Sequence, residues 1–449
     1  MYTSASLRLE KYMKVGFISL GCSKNLVDTE MVIGVFKNNN FEIVNDPTTA
    51  EIIVINTCGF IESAKEEAIN TILEMSEYKN TQKCKYLVVI GCLVQRYKKD
   101  LQRALPEVDL FLSISEYDTF WEKIQMLIKG TTLNEINNLE YTNRVITTGN
   151  TTAYLKIAEG CSNNCTYCAI PYIRGKYISR PMEDILKEAE ILSKKGYKEI
   201  IVIAQDTTKY GIDIYGQPKL AELLKKLCKI EEFRWIRFLY AYPESITEEL
   251  INTVKTEEKI CKYFDIPIQH ISDSVLKRMN RKSNGKSIED LIKKIKLEIP
   301  NVILRTSLIV GFPGETKQDF NKLYNFVKEI KFNKLGVFKY SKEDGTPAAR
   351  LKEQIHYKTK ESRFNRIMEA QQTISKNILE NCIGKTYEAV IEGITFDKKY
   401  YVARSYMDVP DMDGIIYIKN TKDYEIGSFA NCKITQIDKY DLIGDFNVL

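Results

Sequence analysis

Short β-branched runs alternate with helical spacing along most of the chain. Val15–Ser19, Ile52–Ile55 and Tyr86–Ile90 are apolar and strand-like, and each is followed by a helical pattern, over 25–37, 61–78 and 93–105. Strand-helix alternation predicts a doubly wound parallel α/β sheet, here assigned to a first domain, 14–140. The alternation resumes with six further strand-like runs: 153–158, 199–204, 235–239, 263–266, 302–309 and 335–339. Six such units predict an open (β/α)6 barrel in a second domain, 147–380, with function at the carboxyl-terminal strand ends. From Cys382 the pattern changes to β-like runs at 387–391, 400–405, 414–418 and 430–438, separated by turn residues. That predicts a third domain, a small β-barrel over 382–449. The fold class is therefore α/β and multidomain.

Composition narrows the setting. A chain of 449 residues with 44% hydrophobic content has ample material for several cores and is not a disordered chain. No apolar run approaches the roughly 20 residues of a membrane span. The segment before Met13 lacks a signal-peptide core and reads as a loose tail, with Met13 an alternative start. A cytoplasmic location with no membrane partner is expected. Eleven cysteines in such a chain point to metal or redox chemistry rather than disulfides. The net charge of +5 does not by itself imply nucleic-acid binding. Oligomeric state is unreadable, and a monomer is the default.

Six of the cysteines fall into two triplets. Cys161, Cys165 and Cys168 are spaced C-x3-C-x2-C just after the first barrel strand. A [4Fe–4S] cluster usually takes four thiolates, so three leave one iron open to a small molecule. A zinc site would favour a second C-x2-C or a Cys/His pair, and only His270 and His356 exist in the chain. Cys22, Cys58 and Cys92 each follow one strand of the first domain, about one β-α unit apart. They are expected to converge at one sheet edge as a second three-thiolate site, the alternative being ordinary buried cysteines. Cys84 precedes its strand, so it belongs to the opposite edge and is not expected to be a ligand. Cys228 and Cys261 lie away from strand ends and carry no expected role.

Polar residues gather after the barrel strands: Gln205 and Asp206, Tyr240 and Tyr242, Gln269 and His270, Gly311 to Glu315, then Ser341 and Glu343. Gly311 and Gly314 permit close backbone approach, which makes the turn ending at Glu315 the best candidate for a nucleoside contact. The alternative is a strand-to-helix turn with Glu315 in the first helical turn. Tyr240 and Tyr242 read as packing residues, and His270 as a satisfied side chain. The basic stretch holding Arg350, Lys352, Lys358, Lys360, Arg363 and Arg366 reads as a solvated helix face. Residues 382–449 carry eight basic against eleven acidic side chains, a net −3, which leaves +8 on the remainder. An acidic barrel suits a basic protein partner better than phosphates, with Asp408, Asp411 and Asp413 in one candidate loop.

From Met13 onward the chain resembles the methylthiotransferases, a family of radical S-adenosylmethionine (SAM) enzymes. The resemblance is carried by Leu20-Gly21-Cys22-Ser23-Lys24-Asn25, Asn56-Thr57-Cys58-Gly59-Phe60-Ile61, Gly91-Cys92-Leu93-Val94-Gln95-Arg96-Tyr97, the Cys161–Cys168 loop and Gly311–Glu315. It is most similar to the RimO branch, because the tRNA branches typically carry Gln-Met-Asn or Lys-Val-Asn after the first cysteine. Thr29 stands where a serine is common. The resemblance implies two [4Fe–4S] clusters, SAM, and a C-terminal TRAM barrel. It implies SAM contacts from Gln205, Gly311, Gly314 and Glu315, with no catalytic side chain assigned. It implies a methylthio transfer to the β-carbon of an aspartate in ribosomal protein S-twelve, using two SAM, one as methyl donor and one as radical source. An electron donor such as flavodoxin or ferredoxin is implied as a partner. The competing readings are a tRNA adenosine methylthiotransferase and a non-catalytic iron–sulfur sensor.

Overall fold

The structure, a computed structural model, describes residues 13–131 and 138–446. The expected tail therefore lies outside the described residues except for Met13.

The first unit is a five-stranded parallel sheet in the order β2-β1-β3-β4-β5. Its strands are β1 (Lys14–Ser19), β2 (Glu42–Val44), β3 (Ile52–Thr57), β4 (Tyr86–Gly91) and β5 (Leu110–Leu112). The pattern gave the three long strands. The two edge strands have three residues each, too few for periodicity to register. β3 is buried at every position, as a central parallel strand covered on both faces must be. Its side chains alternate between two cores. Ile53 and Ile55 meet Ala68, Ile72 and Met75 of helix Glu62–Thr81. Ile52 and Val54 meet Val32 and Phe36 of helix Ser23–Asn38. With this strand order the crevice outside the carboxyl ends opens between β1 and β3.

The second unit has two three-stranded parallel sheets, β6 (Thr152–Lys156), β9 (Glu199–Ile203), β10 (Trp235–Phe238) and β11 (Tyr263–Asp265), β12 (Ile303–Val310), β13 (Lys334–Lys339). A parallel bridge between Ile236 and Ile260 joins them, and among the described residues β13 does not pair back to β6. This is an open six-stranded barrel. A short antiparallel ribbon, β7 (Ala158–Glu159) with β8 (Ile178–Ser179), closes the base of the cysteine loop.

The third unit is a closed barrel, β14 (Thr386–Ile394), β15 (Tyr400–Ser405), β16 (Ile416–Lys419), β17 (Phe429–Asp438) and β18 (Asp441–Phe446). The last strand, separated from β17 by a two-residue turn, reads in sequence as a continuation of it. This small barrel plugs the larger one from below. Tyr154, Ile201, Trp235, Tyr263 and Ile303 share one core with Ala389, Ile391, Ile416 and Ile434. Trp235 meets Phe429 edge-on at 4.8 Å between ring centroids. Arg404 of β15 pairs with Glu199, which also takes Arg237 Nε at 3.2 Å.

Two surface expectations are corrected by this packing. Asp408 is buried against Lys334, and Asp413 accepts from Tyr263 Oη at 2.7 Å, so only Asp411 of that acidic loop stays exposed. These carboxylates serve the internal seam, not an outside partner. The basic helix Tyr357–Glu380 is not simply solvated either. Arg363 is buried against Glu315, and Arg366 lies 4.9 Å from both the Phe320 and the Tyr324 ring centroids.

Candidate functional site

Three loops bring Cys22, Cys58 and Cys92 to one edge of the first sheet. Cys22 precedes helix Ser23–Asn38, Cys58 follows β3, and Cys92 opens helix Cys92–Ala104. Gly21 sits at φ +91°, and a Cβ there would stand 2.7 Å from Cys58 Cβ and 3.0 Å from its sulfur. Only glycine lets the first and second loops approach so closely. Asn25 ties all three together. Its Nδ2 donates to Leu20 O at 3.0 Å and Thr57 O at 3.1 Å, and its Oδ1 accepts from Cys92 Sγ at 3.4 Å. Burial pushes the Cys92 thiol up to about 12, with Arg174 opposing, and burial also raises Cys58. For Cys22 the surrounding protein again pushes upward, but Lys24, Arg174 and the nearby backbone N–H groups outweigh it and hold the thiol below its usual value. Cys84 lies before β4, at the opposite edge, with its thiol against Tyr86 O at 3.5 Å.

The Cys161–Cys168 loop lies over the mouth of the open barrel, pinned at several points. Cys161 N donates to Gly175 O at 3.1 Å, Thr166 N to Met279 O at 3.1 Å, and Asn163 Nδ2 to Asp206 at 2.8 Å. Asn164 takes the left-handed turn at φ 53° that the spacing needs. Cys165 Sγ stands 3.8 Å from Tyr242 Oη. Burial raises Cys161 and Cys168. Among the described residues no three His, Cys, Asp or Glu side chains are gathered tightly enough for one metal ion. Neither triplet is thus a closed nest around a single ion.

The mouth of the barrel is lined by polar groups that the protein leaves unsatisfied. The Arg281 side chain is fully buried, its guanidinium 4.3 Å from the Tyr242 ring centroid, yet its Nε and Nη1 lack partners. Gln205 Oε1 and Tyr167 Oη are buried and unpartnered too. Buried orphan donors and acceptors are costly unless something else satisfies them. Three thiols beside such groups fit a cluster whose open iron carries a polar, anionic ligand.

At the predicted nucleoside turn the glycines make room for neighbouring side chains. A Cβ on Gly311 would collide with Lys360, and one on Gly314 with Arg278. Glu315 is buried, its Oε2 accepting from Phe312 N at 3.0 Å and from Gly311 N, and its Oε1 lying 3.1 Å from Arg363. Its carboxylate shapes the turn. Gln205 stays at the mouth, its Nε2 3.4 Å from Glu159.

The segment that follows Cys168 packs against Cys92 across a domain seam. Helix Ile170–Arg174, one turn beyond Cys168, packs Ala169 and Ile173 onto Cys92. Arg174 donates to Asp28 at 2.9 Å, to Glu159 at 2.9 Å, to Asn25, and to Cys92 Sγ at 3.5 Å. Lys156 bonds the same two carboxylates, Glu159 at 2.8 Å and Asp28. Farther round the rim, Arg96 and Lys65 both reach Glu343 at 3.3 Å. Arg174, Asn25 and Arg281 were not anticipated as site residues. Arg174 follows an apolar run and Arg281 sits in a polar stretch, and only the fold reveals what they face. Asn25 lay inside the first cysteine motif, which was its one signal.

An open parallel barrel bearing C-x3-C-x2-C on its first loop is the architecture of the radical SAM superfamily, whose family model matches residues 155–327. "Uncharacterized protein family UPF0004" matches residues 14–113, and the TRAM domain matches 383–446. A "Ribosomal protein uS12 methylthiotransferase RimO" from Alkaliphilus oremlandii is 65% identical over 434 residues, covering 96% of this chain and 99% of the relative. One of the same name from Acetivibrio thermocellus is 50% identical over 444 residues, covering 96% and 98%. The chain belongs to the RimO family of ribosomal protein uS12 methylthiotransferases. Among solved structures, the radical SAM methyltransferase TsrM of Kitasatospora setae superposes with a TM-score of 0.57 at 11% identity, covering 75% of this chain and 74% of its own. That likeness concerns the fold alone.

Proposed function

We propose that this chain attaches a methylthio group to the β-carbon of an aspartate in ribosomal protein S-twelve, in the cytoplasm and as a monomer. The observation that supports the reading is the contact of the segment after Cys168 with Cys92, where Ala169 and Ile173 pack on that cysteine and Arg174 reaches its sulfur at 3.5 Å. Cys161, Cys165 and Cys168 would hold the cluster that binds SAM, and Cys22, Cys58 and Cys92 the second cluster. Together with SAM these groups supply one-electron chemistry and the transferable sulfur, which no side-chain acid–base pair can provide.

The chain's own residues arrange the site. The loop bonds from Asn163 and Thr166 hold the first triplet over the barrel mouth. Arg281 offers two free N–H donors to an anionic group beside Cys165, a role that suits the carboxylate of SAM. Asn25 holds the second triplet's loops in register. The square of Lys156, Arg174, Asp28 and Glu159 locks the two domains so that both triplets address one cleft. Among the described residues no helix is long and apolar enough to cross a membrane. A flavodoxin- or ferredoxin-type protein would deliver the electrons.

The test is mass spectrometry of S-twelve after incubation with reconstituted, reduced enzyme and SAM. A gain of about 46 Da on one aspartate, the atomic sum for methylthio replacing hydrogen, supports the reading, with the cofactor carrying the chemistry. The same gain on tRNA adenosine, with none on S-twelve, would overturn it.

A further inference from the structure

Lys24 lies two residues after Cys22 and is 7% exposed. Its ammonium lies 3.3 Å from the centroid of the Tyr240 ring. Tyr240 is the second residue after β10, at the barrel mouth, with its backbone held in the left-handed region at φ 61°. The side chain therefore reaches from the edge of the first sheet to the barrel mouth.

The other buried cations of this seam are each paired with two carboxylates: Lys156 with Asp28 and Glu159, Arg174 with the same two, Arg144 with Glu30 and Glu188. Lys24 has none. Its ammonium lies against the aromatic face and helps to hold the Cys22 thiol below its usual value, with no carboxylate bonded to it among the described residues. Beside it the Ser23 hydroxyl is buried and equally unpartnered. An ammonium carries three donors, and burying a charge without an opposite charge is costly. A ring face offsets part of that cost and leaves the N–H groups pointing elsewhere. The geometry suits a site whose anion arrives with the substrate.

Resting on the function proposed above, we infer that Lys24 binds the side-chain carboxylate of the target aspartate and so makes this chain select aspartate over a neutral side chain. The chemistry is direct. The carboxyl carbon of an aspartate is bonded to its β-carbon, so a cation that fixes the carboxylate fixes the reacting carbon one bond away. Lys24 also lies two residues from Cys22 and acts electrostatically on its thiol, so this hold places that carbon near the second triplet. A lysine suits the task as a compact point charge on a flexible stem.

The test uses holoenzyme, purified S-twelve, and an S-twelve variant with asparagine at the target position. Wild-type enzyme is expected to bind the aspartate form about ten- to a hundredfold tighter than the asparagine form, the range for a charge-assisted hydrogen bond. Lys24→Gln and Lys24→Met should bind both forms alike, with iron content and the reduced-cluster spectrum as in wild type. Lys24→Arg, which keeps the charge, should recover part of the preference. A preference that survives in Lys24→Gln overturns the inference. So does loss of iron in that variant, which would make Lys24 part of the cluster cradle. Wild-type enzyme that binds neither form would instead count against the proposed function itself.

Discussion

Arg174 Nη2 stands 3.5 Å from Cys92 Sγ, although the two residues belong to different domains. The same guanidinium meets Asp28 and Glu159. Arg174 therefore joins the domains and also places an N–H donor on one thiol of the second triplet. Hydrogen bonds to cluster sulfurs are among the features that set reduction potential, and donors favour the more negative, reduced state. If each triplet holds a cluster, as proposed, Arg174→Met is expected to lower the midpoint potential of one cluster in an EPR-monitored titration and leave the other unchanged. It should also lower stability by about 3 kcal/mol, the low end for breaking a buried ion pair, because Lys156 still neutralises both carboxylates. Equal shifts in both clusters would contradict the assignment.

Cys84 and Cys58 provide an internal comparison. Cys58 leaves the carboxyl end of β3 beside Gly21, whereas Cys84 precedes β4 at the far edge. Cys58→Ala should lose about half of the iron of a protein holding two four-iron clusters. Cys84→Ala should keep all of it. Iron analysis after anaerobic reconstitution decides the matter, and equal losses would refute the strand-edge assignment.

What the sequence revealed divides along physical lines. Cys22, Cys58 and Cys92 could be placed because a parallel sheet sends every carboxyl strand end to one edge. Three-residue strands such as β2 and β5 have no period to detect. Gln205 fell where expected, at the mouth. Lys360 and Arg278, long side chains from remote segments, stand where a Cβ on Gly311 or Gly314 would be, which the sequence did not reveal. Asp408 and Asp413 were misread as surface because composition cannot say which face of a small barrel is covered. Arg174, Arg281 and Lys24 share one trait: each is buried, and burial of a long cation depends on partners distant in sequence.

Glu315 gives the chain a pH-sensitive turn. Burial raises its carboxyl from 4.5 to about 7, against the pull of Arg363. A carboxyl raised in the folded state contributes stability that is complete below about 4.5 and is lost as pH rises through about 7. Glu315→Gln keeps an oxygen for the two backbone N–H groups and never ionises. Its thermal midpoint relative to wild type should therefore improve between pH 5 and pH 8, by at most about 3 kcal/mol in equivalent stability. Parallel midpoint curves for the two proteins would show that Glu315 is already ionised at pH 5.

The small C-terminal barrel is held by charge as well as by apolar packing, and that makes its role separable. Glu199 is fully buried at the foot of the large barrel, between Arg237 and Arg404. Arg404 also donates to Glu392 at 2.8 Å and to Asp408 O at 2.9 Å. Replacing Arg404 with Met leaves Glu199 with Arg237 as its one cation, beside the Thr152 hydroxyl, and Asp408 O without that donor. Breaking a buried pair in this way costs about 3–5 kcal/mol. The small barrel should loosen first, and limited proteolysis should cut between helix Tyr357–Glu380 and β14. Arg404→Met combined with Glu199→Gln removes the stranded charge and should restore part of the resistance. The Cys161–Cys168 loop lies at the opposite end of the large barrel and the other triplet in the first domain, so iron content should stay at the wild-type level in either variant. Loss of iron in step with proteolysis would mean that the plug also holds the mouth in shape.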